Sequence, residues 1–473
     1  MKSQKTFHLF SILLALSMIL AACGTGTPST SGPTDTSSGK AKVVLFVGMS
    51  TGTTPEQTTA EEELAAEFNA THPNIEMSFV FVPYEEAKQR FLTMLASGDP
   101  PQLACPIGNE GISANFDAWA DITPFIEADN YDLSDFPGSL VELQRFSGKL
   151  FGLPVGVFPS MIFYNKDAFD AAGIAYPPTD FNDTTWTMAR LREIAMQLTL
   201  DNAGRNATDP AFDPGTNGEN VVQWGYDDSY DGNDLRGTLV MWDAENKGRP
   251  TTSDYKTAVV NSPEWTYGFT WLSNGVWKDH FIAPLAVTQA RDSAGTLPFT
   301  DGKTAMFYGH TWWSAEALPN LNVPYGVAPL PFNNKGTRIE RVDADTCAIP
   351  AAAKNKEQAW EVVKWLLEPA QLIKYAEIMG YVPARISLQE QYKTDILAVN
   401  YPDLDSSVLF EAMNYPDVPN HESWLPEYSQ IRDILTSTYQ SLYAGTNKDD
   451  PKALLDSANA EVQAVLDQYW ATH

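Results

Sequence analysis

The sequence predicts an α/β protein built as two discontinuous lobes joined by a hinge, and three observations carry that prediction. Residues 42 to 106 alternate short apolar runs with amphipathic stretches, in the order strand, helix, strand, helix, strand that a parallel sheet requires. The stretch from Gly148 to Gly173, GKLFGLPVGVFPSMIFYNKDAFDAAG, holds two β-type runs divided by Gly and Pro. That pattern fits one extended strand leaving one sheet and entering another, which makes a hinge between lobes that close around ligands. The chain's 473 residues suffice for two or three domains with ample core.

Each element follows from local chemistry. Lys42 to Val47 reads as a buried first strand. Thr54-Pro55-Glu56-Gln57 opens a helix, with Thr54 as cap, Pro55 in the first turn and Gln57 closing a capping box. Leu64, Ala65 and Phe68 supply its apolar face. Ile75 to Val82 alternates as a second strand, and Tyr84 to Ala96 is an amphipathic helix with Phe91, Leu92 and Leu95 expected inward. Gly98-Asp99-Pro100-Pro101 ends it, and Gln102 to Pro106 is a third strand. After the crossing strand, Asp167-Ala168-Phe169 begins a short helix closed by Gly173. From Pro177 the chain is loop-rich. Thr185-Trp186-Thr187 starts a helix reaching Leu200, and residues 201 to 236, crowded with Asn, Asp and Gly, read as a surface insertion. A helix around Glu264 to Ser273, a strand ending at Gly309 and an amphipathic helix over Lys452 to Tyr469 complete the order. Trp360 and Trp365 are expected in the core. No internal repeat is evident.

Residues 1 to 22 read as a leader: Lys2 and Lys5 precede an apolar run from Leu9 to Leu20 that is too short to span a membrane as a helix. Leu20-Ala21-Ala22-Cys23 matches a bacterial lipobox, implying cleavage before Cys23 and diacylglyceryl attachment there; plain secretory cleavage is the alternative. Residues 23 to 40 then form a lipidated cysteine and a flexible stalk of Gly, Ser, Thr and Pro with little else. Loss of the leader removes two lysines and no acid, taking the net charge from −29 to −31. Such a surface repels phosphate backbones, which argues against nucleic acid as a partner. Beyond Cys23 only Cys105 and Cys347 remain. Their pairing is left open by sequence, and two cysteines without clustered histidines make no zinc site.

Several segments carry a resemblance. Phe151-Gly152-Leu153-Pro154 with Phe163-Tyr164-Asn165-Lys166-Asp167-Ala168-Phe169, then Thr185-Trp186, then Phe299 to Met306 with Gly309-His310-Thr311-Trp312-Trp313, then Tyr325 to Pro331, then Lys354 to Trp360 all occur in the order found in extracellular solute-binding proteins. On these motifs the chain resembles that family, the maltose-binding-protein-like, sugar-capturing subunits of ABC importers, from about residue 43 to the C-terminus. Gln102 departs from the family's usual Asp. The resemblance implies a periplasmic-binding-protein-like fold of type II, with 41–157 plus 345–390 as first lobe and 158–344 plus 391–473 as second. It implies capture of a carbohydrate by lobe closure and delivery to membrane permease subunits, without catalysis or cofactor. The protein would act as a monomer, lipid-anchored on the extracytoplasmic side. A surface lipoprotein hydrolase of glycans or esters, or the same fold holding a non-sugar solute, are the competing readings.

The site residues follow. Gly48-Met49-Ser50-Thr51-Gly52 fits the G-x-S-x-G pattern of a hydrolase, but the helix begins several residues past the serine; Ser50 and Thr51 are expected instead to approach a ligand after the first strand. The 227–234 cluster, Asp-Asp-Ser-Tyr-Asp-Gly-Asn-Asp, lacks the ligand ladder of a calcium loop and offers paired carboxylates that a glycosidase would need in one cleft. Loop aromatics suit sugar faces while hydroxyls need amide and carboxylate partners: Tyr230, Trp242, Trp312, Trp313 and Trp424 are candidates. The resemblance makes Trp312 the main stacking ring and places Asn109 and Glu110 after the third strand as polar contacts. It puts Phe158 at a hinge position that is polar in maltose-type relatives, and it adds Asp345 and Trp424 on the returning segments. No metal ligand is expected.

Overall fold

The computed structural model describes residues 39 to 473, except 114–115, 229–241, 243–245, 247, 298, 313–320, 322 and 419–423. From Lys40 onward the chain forms one compact unit. Strand β1 (Ala41–Val47) leads to helix α1 (Pro55–Thr71), β2 (Ile75–Phe81), α2 (Tyr84–Ala96), β3 (Leu103–Ile107) and α3 (Asn109–Ser113). Both β2 and β3 pair with β1 in parallel. The capping box forms as the sequence requires: Thr54 Oγ1 accepts from the Gln57 amide, and the Gln57 side chain accepts from the Thr54 amide. In α2, Phe91 is buried but Leu92 is 38 % exposed and Leu95 half-buried. The inward face is carried by Ala87 and Phe91, four apart, and Leu92 lies one residue off that stripe.

The crossing strand exists as one uninterrupted strand, β4 (Gly152–Asn165), fourteen residues all buried. It ends in α4 (Lys166–Ala172), capped by Asn165 at its start and by Gly173 in the left-handed conformation at its end. Next come α5 (Met188–Leu198), capped by Thr187, α6 (Pro263–Trp277), β5 (Met306–His310), β6 (Tyr325–Ala328) and β7 (Val342–Ala348). Then follow α7 (Lys356–Leu366), α8 (Pro369–Met379), β8 (Val382–Pro383), α9 (Ser406–Ala412), α10 (Tyr428–Tyr443) and α11 (Pro451–Trp470). Shorter helices and two- or three-residue strands fill the connections, including one ladder inside the 201–236 insertion.

The main sheet runs β6-β4-β7-β3-β1-β2, with β5 and β8 also on β4. Strand β4 changes partners along its length. Gly152 to Pro159 pairs antiparallel with β7, whereas Ser160 to Asn165 lies between β5 and β6. Its two prolines are accommodated at a register shift with β7 (Pro154) and at the change of partner (Pro159). Gly156 is required by packing: a Cβ there would stand 2.2 Å from Cγ of Tyr381, whose ring lies across the strand. A buried disulfide joins Cys105 on β3 to Cys347 on β7, settling the pairing that sequence left open.

One core gathers the β1–β3 side with α7 and α8, including Trp360 and Trp365 as expected; another gathers Trp186, Trp265, Tyr226 and the inner faces of α10 and α11. Ile396, Leu397, Val408, Leu409 and Ala412 pack in the first of these cores, where the apolar face of α9 lies on β4; that core also holds Phe163, Phe307 and Val327.

Within α1, Glu61 falls on the same stripe as Leu64, Ala65 and Phe68 and is fully buried. Neither carboxyl oxygen has a hydrogen-bond partner among the described residues, and burial pushes its pKa up to about 9. Because the folded value lies above the unfolded one, this group's contribution is fully present below the ordinary glutamate range and is lost as pH rises through about 9. Over that window it lowers stability by up to about 1.4 kcal/mol per pH unit. Glu61→Gln should flatten the decline of urea-unfolding free energy between pH 5 and 9, and Glu61→Met should raise stability by about 1–3 kcal/mol at pH 8. An unchanged pH slope in Glu61→Gln would remove Glu61 as its source.

Candidate functional site

Ligands in open α/β sheets bind beyond the carboxyl ends of parallel strands. Here the ends of β1 and β3 deliver Ser50 and Asn109 to one place, and β7 passes antiparallel beside them. Gly48, with φ +144°, lets the turn after β1 lie against the Val82 carbonyl, where a Cβ would stand 2.1 Å from the oxygen. Asp343 and Asp345 are two residues apart on β7 and so share a face. Ser50 Oγ donates to Asp345 Oδ2 at 2.6 Å, and Asn109 Nδ2 donates to Asp343 Oδ1 at 2.7 Å. Asp343 also pairs with Arg341, Nε to Oδ2 at 2.8 Å. From the C-terminal tail, Asp417 accepts from the Val342 amide at 3.0 Å, while Ser160 Oγ accepts from the Arg341 amide at 2.9 Å.

These carboxyls are not ordinary surface acids. Burial, with Asp343 nearby and the Ser50 hydrogen bond opposing, raises Asp345 to about 7. Burial and Asp343, opposed by Arg341, raise Asp417 to about 7. A carboxyl that titrates near neutrality both donates and accepts, which suits partners that do the same, hydroxyl groups foremost. Ser50 is the hydrogen-bond partner of Asp345 among the described residues.

An aromatic wall adjoins this polar floor. Phe158, opposite Asp343 in the β4–β7 ladder, meets Trp312 edge-on at 5.4 Å and Tyr381 edge-on at 5.8 Å. Trp312 is half-buried and lies flat on His310, centroids 3.9 Å apart and 8° from parallel. The Tyr308 hydroxyl lies 3.1 Å from His310 Nε2. Position His310 pairs with Ser160 across β4, which brings this wall beside Arg341 and Asp343.

The structure thus brings Ser50, Asn109, Phe158, Trp312 and Asp345 together, and it places the other candidates differently. Thr51 turns its hydroxyl to the Met379 sulfur at 3.7 Å. Glu110 faces Arg432 of α10 and, at 3.4 Å, the Tyr84 hydroxyl. Trp424 is packed away, 3 % exposed: its indole N–H donates to the Leu143 carbonyl at 3.2 Å, and its ring stacks on Phe146. Trp242 is likewise buried at 1 % exposed, because Trp271 and the Cβ-free face of Gly268 receive its ring. Tyr230 and Trp313 lie outside the described residues, as does 229–234. The two leading acids of the 227–234 cluster are engaged elsewhere: Asp227 pairs with Arg291, and Asp228 accepts from Tyr443 at 2.8 Å and Tyr439 at 3.0 Å. Among the described residues no group of three or more His, Cys, Asp or Glu side chains is placed to hold a metal ion.

The G-x-S-x-G pattern does not make a nucleophile elbow. The Ser50 hydroxyl is donated to a carboxyl, and α1 starts five residues later at Pro55. Asp343, Arg341, Asp417 and His310 escaped the sequence reading. A signal was present for the first: in Val342-Asp343-Ala344-Asp345-Thr346-Cys347-Ala348, two acids at strand spacing share one face of a wholly buried strand.

Comparison with known proteins bears on the family and the fold. The model of the bacterial extracellular solute-binding protein family matches residues 51–373. The galactooligosaccharide-binding protein of Bacillus subtilis is 23 % identical over 465 residues, covering 97 % of this chain and 96 % of its own. The sn-glycerol-3-phosphate-binding periplasmic protein of Rhizobium meliloti is 22 % identical over 426 residues, covering 86 % and 91 %. Among solved structures, an ABC substrate-binding protein of Listeria monocytogenes in complex with cycloalternan superposes with TM-score 0.69 at 20 % identity, over 90 % of this chain and 99 % of that one. This likeness shows the two-lobed α/β fold.

Proposed function

The chain belongs to the bacterial extracellular solute-binding proteins, and from that premise we propose that it captures a carbohydrate outside the cytoplasmic membrane and delivers it, by closure of its lobes, to the permease of an ABC importer. One observation carries the choice of carbohydrate: the aromatic wall of Phe158 and Trp312 stands beside a floor of buried carboxyls and amides at Asp343, Asp345 and Asn109. Sugar rings offer C–H faces to the first and hydroxyls to the second. An anionic solute such as a polyol phosphate would push Asp345 and Asp417 further toward their protonated forms, a cost that a neutral sugar does not carry. The protein acts as a monomeric receptor without catalysis. Its lobes divide near 41–157 plus 345–390 and 158–344 plus the tail, with the tail entering the second lobe at Leu425.

A thermal-shift screen against mono- and oligosaccharides tests the reading, with sn-glycerol 3-phosphate and chromogenic glycosides and esters as separate arms. A ligand at 100 times its dissociation constant stabilises by about 2.7 kcal/mol. A shift with a neutral sugar is expected. A shift with the phosphate alone, or turnover of a chromogenic substrate, would overturn it.

Attachment through a lipid on Cys23 belongs to the same reading and is supported by Leu20-Ala21-Ala22-Cys23. Cys23→Ala should appear in the soluble fraction instead of the membrane fraction of the producing cells; equal membrane retention would exclude lipidation there.

A further inference from the structure

Behind the aromatic wall lies a set of buried polar groups that the solute site does not use. Helix α1 packs on α8, and Gln57 Nε2 ties them by donating to the Ile378 carbonyl at 3.1 Å. One turn further along α1 stands Glu61, on the buried face of that helix. Tyr375 lies on the buried face of α8, and Tyr381 directly follows Gly380, the left-handed cap of α8. The two tyrosine rings meet edge-on, centroids 6.1 Å apart. All three side chains are 0 % exposed. Glu61 and Asp345 both act electrostatically on Tyr375 and on Tyr381, so these four groups face a common interior.

Hydrogen bonding in that interior is incomplete. The Tyr375 hydroxyl donates to the Cys105 sulfur at 3.8 Å, and sulfur is a weak acceptor. Neither oxygen of Glu61 nor the Tyr381 hydroxyl has a hydrogen-bond partner among the described residues. Buried polar atoms are satisfied in all but a few cases, and ordered water serves where protein partners are missing. The chemistry of the set favours a neutral guest. Burial holds the Glu61 carboxyl protonated, so it both donates and accepts, as the phenols do. Water matches such groups, whereas a cation would need the ionised carboxylate that burial opposes.

Tyr381 carries this interior to the site. Its ring lies across Gly156 of β4 and meets Phe158 edge-on at 5.8 Å. Helix α1, in turn, follows the loop that presents Ser50. We propose that Glu61, Tyr375 and Tyr381 enclose an internal hydration site, in which ordered water bridges the Glu61 carboxyl to the Tyr381 hydroxyl and ties α1 to the back of the aromatic wall. Glu61 and Tyr381 are positioning residues in this scheme; neither touches the solute.

A high-resolution crystal structure of the ligand-free chain tests this, beside urea unfolding at pH 6 of Tyr381→Phe in the wild type, in Glu61→Met and in Glu61→Gln. Density for water within hydrogen-bond distance of both Glu61 and Tyr381 is expected. Tyr381→Phe should raise the unfolding constant about threefold or more in the wild type, because it strips the water of a partner. In Glu61→Met, which expels the water, the same change should have a much smaller effect or the opposite sign. Glu61→Gln keeps a donor and an acceptor and should restore the wild-type response. Equal effects of Tyr381→Phe in all three backgrounds overturn the proposal. So does density that shows Glu61 bonded directly to a tyrosine, or no water between them. No solute enters the experiment, so its failure leaves the carbohydrate reading untouched.

Discussion

Trp312→Ala should weaken carbohydrate binding about thirtyfold or more, because a desolvated aromatic anchor is worth roughly 2–4 kcal/mol on truncation and each 1.4 kcal/mol is tenfold in affinity. The ring lies flat on His310 through one face and receives the edge of Phe158, so its orientation is fixed before any solute arrives. A ring held in that way loses little entropy on binding, and truncation removes the platform as well as the contact. Half-burial limits the structural cost. The ligand-free melting temperature should therefore fall by much less than the affinity does. Calorimetric titration with the sugar found by screening, beside melts of the ligand-free variant, decides between the roles. Unchanged affinity with a large loss of stability would make Trp312 a core residue and remove it from the site.

The second large effect is on stability. Replacing Cys105 and Cys347 together by serine should lower the unfolding free energy by about 2–5 kcal/mol, since the bridge closes a long loop in the unfolded chain. The two cysteines are 242 residues apart and join β3 to β7 inside the core, at 0 % and 1 % exposure. Two buried hydroxyls in place of the sulfurs add a desolvation cost on top of the lost cross-link. Urea unfolding of the double variant measures the difference, and a midpoint equal to that of the wild type would show that the bridge does not contribute. Burial also predicts that a mild reductant leaves the native bridge intact and reduces it only in denaturant.

Much of the fold was legible because its signals are local. Thr54 and Gln57 announce α1 within four residues, Gly173 closes α4, and the Pro and Gly interruptions between Gly152 and Asn165 mark the strand that changes partners. The site was legible only in part. Ser50, Asn109 and Trp312 follow strand ends and could be placed from motif order. Asp343 and Arg341 depend on partners brought in from the start of α3 and from β4, and Asn109 lies 234 residues from the acid it holds. Asp417 serves a backbone amide 75 residues away, which no spacing announces. Trp424 misled for a related reason. A tryptophan near Pro and Asn reads as a loop ring, but its indole N–H found a carbonyl at Leu143, 281 residues earlier. Leu92 misled at shorter range, because one residue of helical phase separates a buried position from a solvent-facing one.

The strand β4 has a bearing on how the molecule exchanges with its solvent over hours. All fourteen of its residues are buried, and its amides are shared among β5, β6, β7 and β8. Amide protons in such a strand are released only when the whole chain opens, so their deuterium uptake reports the global unfolding free energy. The strand that changes partners is thus expected among the slowest-exchanging segments of the chain. Motion of the lobes, on microsecond to millisecond scales, would pass through that strand as a small twist distributed over many peptide units, leaving every hydrogen bond in it closed.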